Sequence, residues 1–202
     1  MRTSLVAAAI LCMTLPVLGQ GGGVTADGWK TRLDRGTNVQ DLSFRSMGDG
    51  FHVTTGPHAI FWNAANTGSG AYAASATFMQ TKPSSHPNSY GLFVGGTDLD
   101  GEGQAYIYFL IRETGEFLIK KRMGADTENL TDGWARHAAV NGLDNGQARN
   151  TLSVEVGASN VRFLSNGTEV ASVPKVGLSL DGIAGVRFSH QLDVHVADFT
   201  VG

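Results

Sequence analysis

The sequence predicts an all-β antiparallel protein, a sandwich or barrel of many short strands. Segments rich in β-branched and aromatic residues recur along the chain, with Gly, Asn, Asp and Pro clusters between them. Within those segments apolar and polar residues alternate at period two, and no stretch supports a helix. The clearest run is 90–122, YGLFVGGTDLDGEGQAYIYFLIRETGEFLIKKR. It reads as three consecutive strands, with a Gly/Asp loop after the first and a tight turn after the second.

The register of the last two strands follows from side-chain sorting. A one-residue slip moves every side chain of a strand to the other face. A two-residue loop would mix apolar and charged residues on both faces. A three-residue loop, Glu113-Thr114-Gly115, pairs Arg112 with Glu116, Phe109 with Ile119 and Tyr108 with Lys120. Ile107, Phe109, Ile111, Phe117 and Ile119 then make one apolar face. Tyr106, Tyr108, Leu110, Arg112, Leu118, Lys120 and Arg122 make a mixed one. Gly115 takes the left-handed position of such a loop.

From the N-terminus, residues 1–19 read as a secretory signal. Arg2 precedes an apolar run from Leu5 to Leu18, interrupted by Pro16, and Val17-Leu18-Gly19 supplies small residues near a cleavage site. The run is too short for a membrane span. The expected location is therefore outside the cytoplasm, periplasmic or extracellular. Cys12, the only cysteine, sits inside this signal, so the mature protein would have no disulfide, thiolate metal site or cysteine nucleophile. Loss of Arg2 takes the formal charge one unit below −3, which argues against nucleic acid or an anionic membrane as partner.

Residues 20–26 form a Gly-rich leader that is expected to be unstructured, and 27–202 are expected to form one domain. Residues 27–46 read as an opening segment with one short strand and a helical turn. Strands at 51–54 and 59–62 flank Thr55-Gly56-Pro57, and 63–70, NAANTGSG, reads as a loop. Residues 71–80 alternate, with Tyr72, Ala74, Ala76 and Phe78 on one face. Residues 81–89 form a loop with two prolines. After the central strands, 123–149 is a long polar connection containing Trp134. Residues 151–156 alternate with Leu152, Val154 and Val156 inward. Asn166-Gly167 marks a hairpin between 161 and 173. Strands at 182–189 and 192–201 close the chain.

Several of these motifs, YGLFVGG, YIYFLIR-x-x-GEFLIKKR, NTLSVEV with VRFLSNGTEV, and DGIAGVRF, resemble the concanavalin A-like lectin/glucanase superfamily. The similarity is greatest to laminin-G-like modules and to exported bacterial domains of the 3-keto-disaccharide hydrolase-like kind. The resemblance implies an antiparallel jelly-roll β-sandwich. It covers about two thirds of the chain and its motifs are structural, so it speaks to fold more than to function.

On the residues, the mixed face suits a polar ligand with flat apolar patches, such as a sugar. Trp62, Tyr106, Tyr108, Arg112, Lys120 and Trp134 are the candidate binding residues. Asp98, Asp100 and Glu102 alternate as the paired carboxylates of a glycosidase strand do. They also offer hard oxygen ligands for calcium, the one cofactor the sequence suggests. The surrounding glycines favour a plain loop, and the glucanase motif opens on Glu where this one has Asp98. Of the histidines, His190 and His195 flank one turn, a place where two rings can meet, but structural or solvent-exposed imidazoles are the expectation. The expectation is an exported, non-catalytic carbohydrate-binding module. The alternatives are a glycoside hydrolase of the 3-keto-disaccharide hydrolase-like kind and an adhesion module without a small ligand.

Overall fold

The computed structural model describes residues 22–36 and 38–202. The signal segment and Cys12 lie outside the described residues. In chain order the strands are β1 (Gly23–Val24), β2 (Trp29–Leu33), β3 (Leu42–Met47), β4 (Gly50–Thr55), β5 (Ala59–Gly68), β6 (Tyr72–Gln80), β7 (Ser89–Thr97), β8 (Ala105–Arg112), β9 (Glu116–Met123), β10 (Asp126–Asn129), β11 (Ala135–Arg136), β12 (Ala148–Val156), β13 (Asn160–Ser165), β14 (Thr168–Pro174), β15 (Gly182–Phe188) and β16 (Asp193–Val201). A 3-10 turn at Val39–Asp41 is the only helical segment among the described residues.

These strands make two sheets. Sheet I runs β1-β3-β4-β16-β6-β12-β13-β14, and sheet II runs β10-β9-β8-β7-β15-β5-β2, with β11 beside β9. The two stack face to face as a jelly-roll sandwich. Alternation decides what lies between them. Phe44, Phe78, Leu152, Val154 and Phe163 of sheet I meet Phe61, Leu92, Phe109, Ile119 and Phe188 of sheet II in one core, all fully buried or nearly so. The expected register of β8 and β9 is the observed one, Arg112 opposite Glu116 through Tyr106 opposite Arg122. Gly115 has φ +79°. Asn166 and Gly167 both have positive φ, as the two-residue turn between β13 and β14 requires.

Some expectations are overturned. Residues 63–68 are strand, not loop: β5 continues to Gly68, and Gly68 and Thr67 pair with Gly182 and Ile183 of β15 across a bulge. Pairing with a neighbour outweighs the poor strand propensity of Asn and Gly there. The Gly-rich leader is not wholly unstructured, because Gly23 and Val24 pair in parallel with Ser43 and Phe44. Residues 27–46 hold two strands, one in each sheet, instead of one. The connection 123–149 carries β10 and β11 against β9.

The two outer faces differ in kind. On sheet I, the outward residues of β6 and β12 are Ser75, Thr77, Thr151, Ser153 and Glu155, the polar side of an antiparallel sheet that faces water. Sheet II carries large apolar side chains on both faces. Outside the core it carries a second cluster of Ile60, Trp62, Phe93, Tyr106, Tyr108 and Leu110, capped by Leu99 from the β7–β8 loop. A sheet with two apolar faces must have the outer one sheltered by loops or used. Here loops and long cationic side chains do much of the sheltering.

Candidate ligand-binding cleft

Pairing across sheet II lines the outer face up in rows. One row runs Arg32, Ile60, Arg187, Gly91, Leu110, Leu118, and the next runs Lys30, Trp62, Gly185, Phe93, Tyr108, Lys120. Arg187 is the central charge. The alternation of GIAGVRF sends Val186 and Phe188 into the core and Arg187 outward. Its side chain is 8% exposed. A guanidinium so enclosed needs a carboxylate, and Asp34, just after β2, supplies it. Arg187 Nη1 donates to Asp34 Oδ1 at 3.0 Å and Nη2 donates to Asp34 Oδ2. Nη1 also donates to the Tyr106 hydroxyl at 2.9 Å. The guanidinium carbon lies 5.0 Å from the Tyr108 ring centroid, within cation–π range. Burial alone would raise the Asp34 carboxyl, but the Arg187 hydrogen bonds and charge, helped by Arg122, hold it below the usual carboxylate range.

This fork ties the segment after β2 down over the aromatic floor, and a cleft opens beside it. Its volume is about 590 Å³, and its walls are Arg32, Asp34, Arg35, Glu102, Gln104 and Arg122, with Gly124 and Ala125 of the β9–β10 turn. A second hollow of about 420 Å³ shares Asp34 and Arg35 and adds Pro57 and His58. Arg32 Nη1 is spent on the carbonyls of Leu99 and Gly101, which fixes the β7–β8 loop as a wall. Arg122 Nη1 donates to the Gly124 carbonyl at 3.2 Å, and Nη2 lies 3.7 Å from Asp34. Arg122 Nε and Gln104 Oε1 are buried and have no partner. Both residues line the cleft, and each of these two enclosed atoms carries a desolvation cost of about 1–3 kcal/mol.

Elsewhere, a hollow of about 500 Å³ at the β8–β9 hairpin holds Glu113, Arg136 and His137. Its carboxylate is already used: Glu113 Oε2 accepts from Gln80 Nε2 and from the Ser84 amide and hydroxyl.

The residues singled out in the sequence fall unevenly around the cleft. Tyr106 and Tyr108 lie on the mixed face as expected, but they are 2% and 5% exposed. They are the floor under Arg187, not an open stacking platform. Trp62 is not at a strand end: it sits mid-strand in β5, 2% exposed, within the same cluster. Trp134 packs against that cluster from the β10–β11 loop, with the Arg112 guanidinium 4.4 Å from its ring centroid. Arg112 Nε donates to Glu116 at 2.8 Å. This arrangement pins the loop. Lys120 is half-buried on the outer face opposite Tyr108.

The three loop carboxylates do not converge. Asp98 folds back, with Oδ2 accepting from the Gly103 amide at 2.9 Å. Asp100 pairs with Lys30 at 2.9 Å. Glu102 alone reaches the cleft. No group of three His, Cys, Asp or Glu that could hold a metal ion occurs among the described residues.

His190 and His195 lie apart. His195 lies beside His52 across β16 and β4. His190 sits between His58 and His86, with nitrogen–nitrogen distances of 2.8 and 3.0 Å. Sequence reasoning missed Asp34, Arg32, Arg35, Gln104 and Arg187 as site residues. A signal existed for Arg187, an outward position flanked by core residues in a strand. None existed for Asp34, 153 residues away.

Comparison with solved structures places this architecture. The carbohydrate-binding module CBM66 from Bacillus subtilis superposes with TM-score 0.64 at 10% identity, covering 88% of this chain and 97% of that one. A Bacillus subtilis protein of unknown function with a galectin-like fold gives 0.59 at 14% identity, over 86% and 88%. A Bacteroides ovatus GH16 protein from a mixed-linkage glucan PUL, in complex with a product, gives 0.56 at 9% identity, over 86% and 93%. The fold is the concanavalin A-like jelly roll. No family model matches the chain, and no curated protein matches it in sequence.

Proposed function

We propose that this protein is an exported, non-catalytic carbohydrate-binding module whose ligand seats in the cleft between Arg32, Arg35, Gln104 and Arg122. The observation that carries this reading is the cleft itself, a hollow of about 590 Å³ walled by the polar and cationic side chains of Arg32, Arg35, Gln104 and Arg122 beside an aromatic floor. A sugar hydroxyl both donates and accepts, which suits a lining of guanidinium donors and a side-chain amide. A position held by buried polar groups rejects ligands that leave them unpaired. The fold adds support, since it is shared with a protein described as a carbohydrate-binding module.

Catalysis has less to stand on. Hydrolysis of a glycosidic bond needs two carboxyl groups flanking it, one of them able to give up a proton. Of the cleft's two, Asp34 is held ionised by Arg187, which leaves Glu102 as the one other carboxyl at the site. An adhesion surface would need a contiguous apolar patch. The exposed large apolar residues among those described, Val39, Met47, Met123 and Val176, lie on separate segments. In this reading binding needs no metal.

The test is calorimetric titration of 20–202 with a panel of oligosaccharides, with and without EDTA. Saturable binding that survives EDTA and weakens in Gln104→Leu supports the reading. A folded protein that binds no saccharide, or one whose binding is indifferent to Gln104→Leu, refutes it.

A further inference from the structure

The cleft also has a charge, and it runs against that of the chain. The protein is acidic overall, at −3. Of the acidic groups in the β7–β8 loop beside it, Asp100 is paired with Lys30 and Asp98 folds back onto the Gly103 amide. Asp34 is matched by the buried Arg187. What remains at the cleft is Arg32, Arg35 and Arg122 against Glu102. Lys120 lies on the same face, one position along β9 from Arg122 on that side.

Arg35 is exposed, and no carboxylate pairs with it among the described residues. Arg122 keeps Nε unpaired, and its nearest carboxylate oxygen, on Asp34, already takes a hydrogen bond from Arg187. Guanidinium groups that line a partly desolvated cleft, with fewer carboxylates than cations, favour a ligand that brings its own negative charge. The planar fork of Arg matches a carboxylate or a sulfate, and such hydrogen bonds are about twice as strong as neutral ones.

Resting on the carbohydrate reading, we infer that the ligand of this cleft is an anionic saccharide, whose carboxylate or sulfate group lies between Arg35 and Arg122. Hydroxyls of the same sugar ring meet Gln104. The neutral part of the molecule lies toward Arg32 and the β7–β8 loop.

The experiment compares matched probes: trigalacturonate against its methyl ester, and a sulfated galactan oligosaccharide against its desulfated form. Each is titrated into 20–202 at low and high salt. The expected result is that at least one anionic probe binds about tenfold or more tightly than its neutral partner. Its affinity falls as salt rises. Which pair shows the difference separates carboxylate from sulfate. Arg35→Ala, an exposed position outside the packed floor, removes most of the preference while thermal stability is retained. Arg122→Met weakens anionic binding further. Equal binding of neutral and anionic partners, without salt dependence, overturns the inference and leaves the carbohydrate reading standing. Binding of no probe by the folded protein overturns both.

Discussion

Removing Asp34 tests whether the buried fork at Arg187 organises the cleft. In Asp34→Asn the carboxylate charge is lost and Arg187 stays, 8% exposed, beneath a face of aromatic rings. Breaking a buried ion pair by deleting one partner costs about 3–5 kcal/mol, because the remaining charge is uncompensated. Asp34 is somewhat more open, at 18%, and Arg187 retains the Tyr106 hydroxyl, so the lower half of that range applies. For a domain of this size about 3 kcal/mol lowers the thermal midpoint by roughly 6–12 °C. Urea titration followed by tryptophan fluorescence and calorimetry measures it. The companion is Asp34→Leu with Arg187→Met, which replaces the pair by apolar groups of similar reach. Such replacements are often neutral, so the double variant is expected to recover most of the loss. A single-variant cost under about 1 kcal/mol, the value for an exposed pair, refutes the reasoning. A double variant no better than the sum of its singles refutes it too.

Other perturbations follow from the same packing. Gly185 lies between Trp62 and Phe93 on the outer face, and a Cβ there would stand 2.6 Å from the Phe93 ring and 2.4 Å from the Phe61 carbonyl; Gly185→Ala should cost about 1–3 kcal/mol by overpacking, read as a shift in urea midpoint. Tyr108→Ala should lose stability as well as any binding, because the ring is buried under Arg187; its urea midpoint is expected to fall by about 2 kcal/mol or more, whereas Arg35→Ala leaves the midpoint unchanged. Acidification should destabilise the fold. Burial and the neighbouring His190 lower the His58 imidazole, with Arg187 and Arg35 adding to this and Asp34 opposing it, and burial lowers His52. Groups with a depressed folded value bind fewer protons folded than unfolded, so stability is complete above about pH 6.5 and is lost as pH falls below it toward the folded values. Thermal midpoints at pH 7.5 and 5.5 check this, and His58→Gln should reduce the difference; a midpoint that rises on acidification contradicts it.

How much of this was legible in the sequence depended on range. The β8–β9 register was legible because only one loop length sorts five apolar side chains from the charged ones. The Asn166-Gly167 turn was legible because its residues are the ones that tolerate positive φ. Strand β5 was misread beyond Trp62. NAANTG has the composition of a loop, and only its partners β15 and β2 make it a strand. That error also placed Trp62 at an exposed end instead of inside the outer cluster. Strand β10, DTEN, is exposed throughout and carries no pattern at all; β9 alone defines it. For the site, the mixed face was found but its use was misjudged. Tyrosines beside arginines look like an open platform until the buried partner of one arginine is known. That partner, Asp34, is brought in by the pairing of β2 with β5, which no local signal announces.

The central claim is that ligand enters at the cleft beside the Asp34–Arg187 fork and not elsewhere on the sandwich. The most direct measurement is a nitrogen-15 NMR titration of 20–202 with trigalacturonate, following backbone amides and arginine side-chain Nε–H signals. The account predicts saturable shifts at Arg32, Arg35, Gln104 and the Arg122 Nε–H, with little change at Ser75, Thr77 and Ser153 on the outer face of sheet I. Saturable shifts confined to sheet I or to the hollow at Glu113 and His137 would contradict it.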